Sequence, residues 1–237
     1  MEQYQPRFDP YRDLKRGEQR ECTYQPGDWQ GAESERSPYV RFGLVSVEAG
    51  GIDWINDPNL GVRAFGDGRG FSRLPERPKF KLKASDAPTW DFHWFSGFAI
   101  VSKRWIDFCL EVDPSAIEFI PVQILLSDGQ PTEEQFYAWD VVRVIDAIDW
   151  GRTKATVIKG EIDGEDYVYL RDIGPITLRP DIDQRFHLFL DRVSRAIVFC
   201  TRVFEQEAME RGLRGYSMGD LRNYPHTGRK YYESSVE

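Results

Sequence analysis

Histidines and cysteines are the residues of this chain with the greatest potential for catalysis or metal binding. His93, His187 and His226 are the only histidines. None stands at the i, i+4 spacing to another ligand-type residue that a helical zinc site such as H-E-x-x-H requires. A lone histidine is more often a packed or surface residue than a ligand. His93 lies between Trp90 and Trp94, so we interpret it as part of an aromatic packing patch.

The three cysteines, Cys22, Cys109 and Cys200, are odd in number and widely spaced. This is neither a disulfide framework nor a zinc pattern. Arg202 follows Cys200 closely, which hints at a thiolate stabilised by a cation. However, Cys200 ends an apolar run, and Cys109 lies on the apolar face of a predicted helix. Both are therefore predicted to be buried free thiols.

Two carboxylate pairs and one glycine-rich stretch complete the search for a site. Asp146 and Asp149 are three residues apart on a predicted strand, so they point to opposite faces and cannot share a proton. Asp181 and Asp183 follow a proline and indicate a turn or helix start. The stretch 66–70 leads to prolines, not into a helix, unlike a phosphate loop. We predict no catalytic residues, no metal, no cofactor and a chain that is not an enzyme.

Composition and charge indicate which kinds of molecule this chain does not bind. The 237 residues suffice for one large domain or two small ones, and 41% are apolar. The formal net charge is −8 and no dense Lys/Arg run occurs, which argues against nucleic acid as the partner. The longest apolar runs, 98–101 and 119–126, are too short for a membrane helix, and no secretory signal opens the chain. We expect a cytoplasmic protein that binds no membrane.

The elements that would position any site begin with a short apolar strand at 98–101. Ser102 follows as a helix N-cap, and the helix is expected to end at Asp113, before a proline. A turn is expected at 127–130, and a hairpin across residues 163–164. Further strands are predicted at 39–47, 80–84, 117–126, 136–148, 155–162 and 167–170.

The same order of elements recurs near the C-terminal end. Residues 195–199 form an apolar strand, Cys200-Thr201 occupies the cap region, a helix follows, and Gly212 stops it. We align Ser102-Lys103-Arg104-Trp105 with Cys200-Thr201-Arg202-Val203. Duplication of one strand–helix–strand unit and chance similarity both account for this. The predicted fold is α+β, with mainly antiparallel strands and two short helices. Residues 1–77 are expected to form an arm and loop-rich segment packed on a main domain at 78–237, which together could also form one continuous domain.

Several short motifs then follow in a characteristic order: WDF at 90–92, GFAIVSKR at 97–104, FIPV at 119–122, FY at 136–137 and VIDAID at 144–149. Over about residues 78–220 this order resembles an immunity-protein family of bacterial polymorphic-toxin and contact-dependent competition systems. The resemblance implies a cytoplasmic antitoxin that neutralises a cognate toxin by direct protein–protein binding and occlusion. An enzyme of unknown class and a non-catalytic adaptor protein of a secretion locus remain alternatives. The sequence does not fix the oligomeric state.

Acidic and aromatic residues on exposed loops are the natural contacts for a toxin with a basic cleft. Two segments offer such residues. Ordinary solvated turns would show the same composition. The candidate partner-binding residues are Asp163, Glu165, Asp166 and Tyr167 in one segment, and Asp128, Glu133 and Glu134 in the other.

Overall fold

The structure is a computed structural model. It describes residues 19–22, 37–43, 52–55, 68, 70–71, 77–83, 88–95, 98–162, 165–171, 174–195 and 197–221. Their strands and helices are, in chain order, β1 (Gln19–Cys22), β2 (Tyr39–Gly43), β3 (Ile52–Trp54), β4 (Lys79–Leu82), β5 (Phe92–Phe95), β6 (Phe98–Ser102), α1 (Lys103–Val112), β7 (Ile117–Leu125), β8 (Phe136–Val141), β9 (Val144–Ile145), β10 (Ala155–Ile162), β11 (Glu165–Arg171), β12 (Leu188–Asp191), β13 (Val198–Thr201), α2 (Arg202–Glu210) and β14 (Ser217–Asp220).

The strands form three sheets, and the predicted α+β class with mainly antiparallel pairing is confirmed. A six-stranded sheet has the order β3-β4-β7-β8-β6-β5, and a five-stranded sheet the order β14-β2-β13-β12-β9. A third sheet, β1-β10-β11, has three strands. Only the β4–β7 and β9–β12 pairs are parallel among the described strands.

Local sequence explains the best-predicted elements. In β4, Lys79 and Lys81 are exposed while Phe80 and Leu82 are buried, which is the alternation of a strand with one solvated face. Helix α1 begins where the Ser102 hydroxyl accepts the backbone N–H of Trp105 at 3.3 Å. It ends at Val112, before Asp113 and a proline-led 3₁₀ turn.

Two units of the fold share one topology. In the first unit, β5 and β6 form a hairpin, α1 follows, and β7 lies parallel to β6 with β8 inserted between them. In the second unit, β12 and β13 form the hairpin, α2 follows, and β14 lies parallel to β13 with β2 inserted between them. The inserted strand follows the unit along the chain in the first case and precedes it in the second. The predicted recurrence of strand, capped helix and strand is confirmed; its origin by duplication stays a prediction.

The two helices pack against each other in the largest hydrophobic cluster. The rings of Phe108 and Phe204 lie 4.6 Å apart, and those of Trp105 and Phe204 lie 6.2 Å apart. All three side chains are buried. The helix pair therefore joins the six-stranded and five-stranded sheets through one shared core.

The structure corrects the alignment of the two units by one residue. Thr201, not Cys200, caps α2, because its hydroxyl accepts the backbone N–H of Phe204 at 3.2 Å. Thr201 therefore matches Ser102, and the buried Phe204 matches the buried Trp105. Val203, which the sequence alignment placed opposite Trp105, is 53% exposed.

The predicted single strand at 136–148 was also wrong. It divides into β8 and the two-residue β9 because the chain changes partner: the Val142 N–H makes the last bond of the β7–β8 ladder, to the Ala116 carbonyl at 2.8 Å, and the Arg143 carbonyl then accepts the Leu190 N–H of β12 at 2.9 Å. The hairpin across residues 163–164 is confirmed, with β11 beginning at Glu165. Within the predicted arm, β1 pairs with β10, and most of the remaining arm lies outside the described residues. The boundary at residues 77 and 78 stays a prediction.

Candidate partner-binding surface

The described histidines are held by packing and by a helix cap. The rings of His93 and Trp90 lie 5.2 Å apart, as the aromatic patch predicts. Burial lowers the pKa of the His93 imidazole. His187 Nδ1 lies 2.8 Å from the hydroxyl of Thr201, which also caps α2. His226 lies outside the described residues.

Two thiols are enclosed in the core. Cys109 and Cys200 have no exposed surface, which confirms the prediction of buried free thiols. Burial raises the pKa of each thiol well above its ordinary value, so both stay protonated near neutral pH. The side chain of Cys22 lies outside the described residues. Within the described part of the chain, no three His, Cys, Asp or Glu side chains are grouped to hold a metal ion.

The described residues in and after the glycine-rich stretch bind a pair of carboxylates through their backbone N–H groups. Glu118 and Asp140 lie opposite each other on β7 and β8. Asp140 accepts the backbone N–H groups of Gly68 and Gly70 at 3.3 and 2.9 Å, and Glu118 accepts that of Phe71 at 2.8 Å. Gly70 has φ +66°, and a Cβ there would overlap the Glu118 carboxylate. Gly70 therefore allows a close approach of backbone to acid, whereas a Cβ at Gly68, with φ +78°, would meet the side chains of Leu190 and Val144 at 2.9 Å. The sequence revealed neither role.

Asp91 anchors the junction where the end of α2 meets the start of β5. Its carboxylate is buried and accepts the Ser102 hydroxyl at 2.7 Å and the Arg214 backbone N–H at 3.0 Å. Nη1 of Arg104 lies 3.4 Å from Oδ2 of Asp91, and the Arg104 side chain is 58% exposed. Gly215 closes the junction at φ +94°, where a Cβ would overlap the Phe92 carbonyl oxygen.

Asp113 anchors the corresponding junction, where the end of α1 meets the start of β12. It accepts the backbone N–H groups of His187 and Leu188 at 2.9 and 3.1 Å. Both of its oxygens also bind the guanidinium of Arg143, at 2.5 and 2.9 Å. That guanidinium lies 4.3 Å from the centre of the Phe186 ring and is largely buried. The contacts of Asp113 and Arg143 are thus structural, and no sequence motif indicated them.

Arg179 brings the two predicted aspartate pairs together. It forms ion pairs with Asp146 at 3.2 Å and with Asp181 at 2.7 Å. Asp149 accepts the backbone N–H of Gly151 in a turn, and Asp183 accepts that of Arg185. The expectation that Asp146 and Asp149 share a strand was wrong, because β9 ends at Ile145. The turn predicted at Asp181 and Asp183 is confirmed.

The two predicted partner-binding segments lie at the ends of different sheets. Asp128, Glu133 and Glu134 are exposed in the loop between β7 and β8 of the six-stranded sheet. The Asp128 carboxylate accepts the Gln130 backbone N–H at 2.9 Å, and Gly129 adopts φ +87°. The loop is therefore built around a defined turn.

In the other segment, Glu165, Asp166 and Tyr167 open β11 in the three-stranded sheet. Their side chains, and all of Asp163, lie outside the described part of the chain. The role of both segments stays a prediction.

Comparison with known families adds what the geometry alone does not supply. The model of the Immunity protein family (Imm11) matches residues 46–223. The chain belongs to this Imm11 family. No curated protein matches it.

The Imm11 match covers both units of the fold except for one strand. It extends from β3 to β14 and includes α1 and α2. Strand β2, which is inserted between β13 and β14, precedes the matched region. The predicted resemblance to an immunity family is thereby confirmed, over a region that begins earlier than residue 78. In the described part of this Imm11 chain, no helix is both long and apolar enough to span a membrane.

Proposed function

We propose that this chain is an antitoxin that neutralises a cognate bacterial toxin by binding it directly and occluding its active surface. The observation that carries the proposal is the Imm11 match over residues 46–223. Protection of the toxin-producing cell within a polymorphic-toxin competition system is the corresponding biological role, and the cytoplasm is the expected place of action.

A non-catalytic mechanism agrees with the chemistry of the described residues. Burial holds the thiols of Cys109 and Cys200 in their protonated, unreactive form. The buried carboxylates of Asp91, Asp113 and Asp140 accept backbone N–H groups, which leaves them engaged in holding loops. Binding, not bond cleavage, is therefore the activity we propose.

The loop between β7 and β8 supports a complementary contact with a basic toxin surface. Asp128, Glu133 and Glu134 are exposed on it, and the formal net charge of the chain is −8. Acidic groups on a preorganised turn attract a basic cleft and lose little entropy on binding. Asp163, Glu165, Asp166 and Tyr167 form the second proposed contact, on the hairpin of β10 and β11.

Co-expression tests the function directly. A toxic product of the adjacent open reading frame would be expressed with and without this chain, and growth and co-purification would be scored. Rescue of growth together with a stable complex is expected. Rescue without a complex would contradict occlusion, and the absence of rescue would contradict the antitoxin role.

Charge reversal tests the proposed loop contact. Replacing Asp128, Glu133 and Glu134 with lysine is expected to weaken toxin binding by roughly tenfold or more, because rim charges become repulsive. The matched control reverses three exposed acids elsewhere, Asp53, Asp107 and Glu210, and has the same net charge. Isothermal titration calorimetry would compare both variants. Equal affinities for the two variants would remove the loop from the interface.

A further inference from the structure

Strand β11 is the longest outer strand of the three sheets. It has seven residues, whereas the other outer strands, β1, β3, β5, β9 and β14, have two to four. Among the residues that the structure describes, β11 has a neighbouring strand on one side only, β10. Proteins usually shorten or cover their outer strands because free N–H and C=O groups there pair with other chains. A strand of this length is therefore a candidate for pairing with another chain.

The register of the hairpin shows which groups of β11 face outward. Ile162 and Glu165 are paired across only two residues, so they form a hydrogen-bonded pair. Alternation then directs the N–H and C=O groups of Asp166, Val168 and Leu170 away from β10.

The same rule holds at the hairpin of β5 and β6, where Phe95 and Phe98 are paired across two residues. It turns the N–H of Phe92 outward, and that N–H is indeed donated to the Arg214 carbonyl at 3.0 Å.

The sequence of β11 is complementary to itself. Val168 is its central residue, and Glu165 and Arg171 stand three positions before and after it. In an antiparallel pair of two such strands centred on Val168, each Glu165 lies opposite Arg171 of the second copy. Tyr167 lies opposite Tyr169 in the same way. Opposite charges and aromatic residues at facing positions both stabilise strand pairs.

We propose that β11 pairs with β11 of a second copy of this chain, antiparallel and centred on Val168. The outward groups of Asp166, Val168 and Leu170 then supply the hydrogen bonds of the new ladder. Two three-stranded sheets become one continuous sheet of six strands. This homodimer forms without the toxin, and it brings Glu165, Asp166 and Tyr167 of the second proposed toxin contact from both copies onto one continuous sheet.

Other registers do not satisfy the same two conditions. A shift by one residue would place outward-facing groups opposite groups that are already bonded to β10. A shift by two residues keeps the hydrogen bonds but places Glu165 opposite Tyr169 or beyond the end of the second β11 strand. Only the pairing centred on Val168 lets the outward N–H and C=O groups form hydrogen bonds and also places each Glu165 opposite Arg171 of the second copy.

A charge swap tests this register. The unchanged chain is expected to sediment at twice the mass of one chain. Glu165→Arg and Arg171→Glu are each expected to weaken the dimer by roughly tenfold or more, because two facing pairs become repulsive. The double swap restores opposite charges and is expected to restore the dimer. Glu161→Arg is the matched control, because it has the same charge change on the adjoining strand β10 and should leave the dimer intact.

A backbone variant tests the edge independently of charge. Val168→Pro removes an outward N–H but no hydrogen bond to β10, so the variant should fold and become monomeric. Circular dichroism would verify the fold. A chain that is monomeric at every concentration, or a dimer that survives both Glu165→Arg and Val168→Pro, would overturn the proposal. If the unchanged chain is monomeric and Val168→Pro abolishes its toxin binding, the proposal is overturned and the edge is assigned to a strand of the toxin.

Discussion

The two junctions between the units differ in where the buried aspartate stands. At the first junction, Asp91 precedes strand β5 and binds both the cap hydroxyl of its own unit and a backbone N–H after α2. At the second, the position of Asp91 is taken by His187, whose ring contacts the cap hydroxyl of Thr201. The carboxylate of that junction comes instead from Asp113, which follows α1.

Equivalent backbone bonds accompany this exchange of side chains. The N–H of Ser102 is donated to the Asp91 carbonyl at 2.9 Å, and the N–H of Thr201 to the His187 carbonyl at 3.1 Å. Each junction thus keeps the same backbone frame and one buried carboxylate that binds an N–H of the opposite unit. Both junctions therefore have a buried carboxylate that accepts backbone N–H groups, but a different element supplies it in each: the residue before β5 at the first junction and the residue after α1 at the second.

The exposure of the arginine at each junction predicts how much the loss of its aspartate partner lowers the free energy of unfolding. The side chain of Arg143 at the Asp113 junction is 12% exposed, and that of Arg104 at the Asp91 junction is 58% exposed. Removing the acid would leave Arg143 buried without its charge partner, whereas Arg104 can turn to water. Asp113→Ala is therefore expected to lower the free energy of unfolding by roughly 3 to 5 kcal/mol. Asp91→Ala should cost about 1 to 3 kcal/mol, mainly from unsatisfied backbone groups.

Urea unfolding of both variants would measure this difference. Asp113→Asn provides a control of similar size that keeps an acceptor for His187 and Leu188 but removes the charge facing Arg143. An equal cost for Asp113→Ala and Asp91→Ala would contradict the distinction between a buried and a solvated junction.

Substitutions at two glycines test how closely the backbone segments approach each other at the first junction. Gly215→Ala would force a Cβ into the Phe92 carbonyl at φ +94°, so we expect a loss of roughly 2 to 4 kcal/mol in unfolding free energy. Gly212→Ala is the matched control, since it also has positive φ, +62°, but no described atom lies within 4 Å of its added Cβ. That variant should lose about 1 kcal/mol, the cost of a left-handed backbone for alanine. Thermal unfolding would compare them, and similar losses would show that backbone conformation alone limits both sites.

Sequence predicted the elements whose signals are local. Ser102 caps α1 and the Asp113-Pro114 step ends it, because capping and proline geometry depend on only a few adjacent residues. In the second unit, the similar arginines Arg104 and Arg202 suggested an alignment one residue out of register. The buried side chains give the correct alignment, because Phe204 occupies in the second unit the buried position that Trp105 occupies in the first.

Contacts between residues that are far apart along the chain could not be predicted from the sequence. Strand β2 pairs with β13 and β14, which lie more than 150 residues away along the chain. The ion pair of Asp113 with Arg143 likewise joins residues that no short motif connects. Of the predicted partner-binding surface, sequence identified an exposed acidic loop at Asp128–Glu134, but a toxin contact depends on a second surface that this chain does not encode.

One substitution makes the first unit resemble the second. By the strand registers, His93 of β5 occupies the position of Phe189 in β12. His93 Nδ1 is buried and has no hydrogen-bond partner among the described residues, so His93→Phe removes no bond there. Burial lowers the pKa of His93 below the ordinary value of 6.5, and the unfolded chain therefore binds a proton more readily than the folded one. Stability is unaffected well above pH 6.5 and falls as the pH is lowered through that value.

The difference between the unchanged chain and His93→Phe isolates this effect from all other titrating groups. The free energy of unfolding of the two proteins should differ by a constant amount above neutral pH. As the pH falls to roughly 5, the unchanged chain should become progressively less stable relative to the variant, by an amount that the exposed part of the ring keeps small. Urea titrations at several pH values would measure it. Parallel curves would mean that His93 is protonated equally well in both states, and that its contact with Trp90 tolerates the charge.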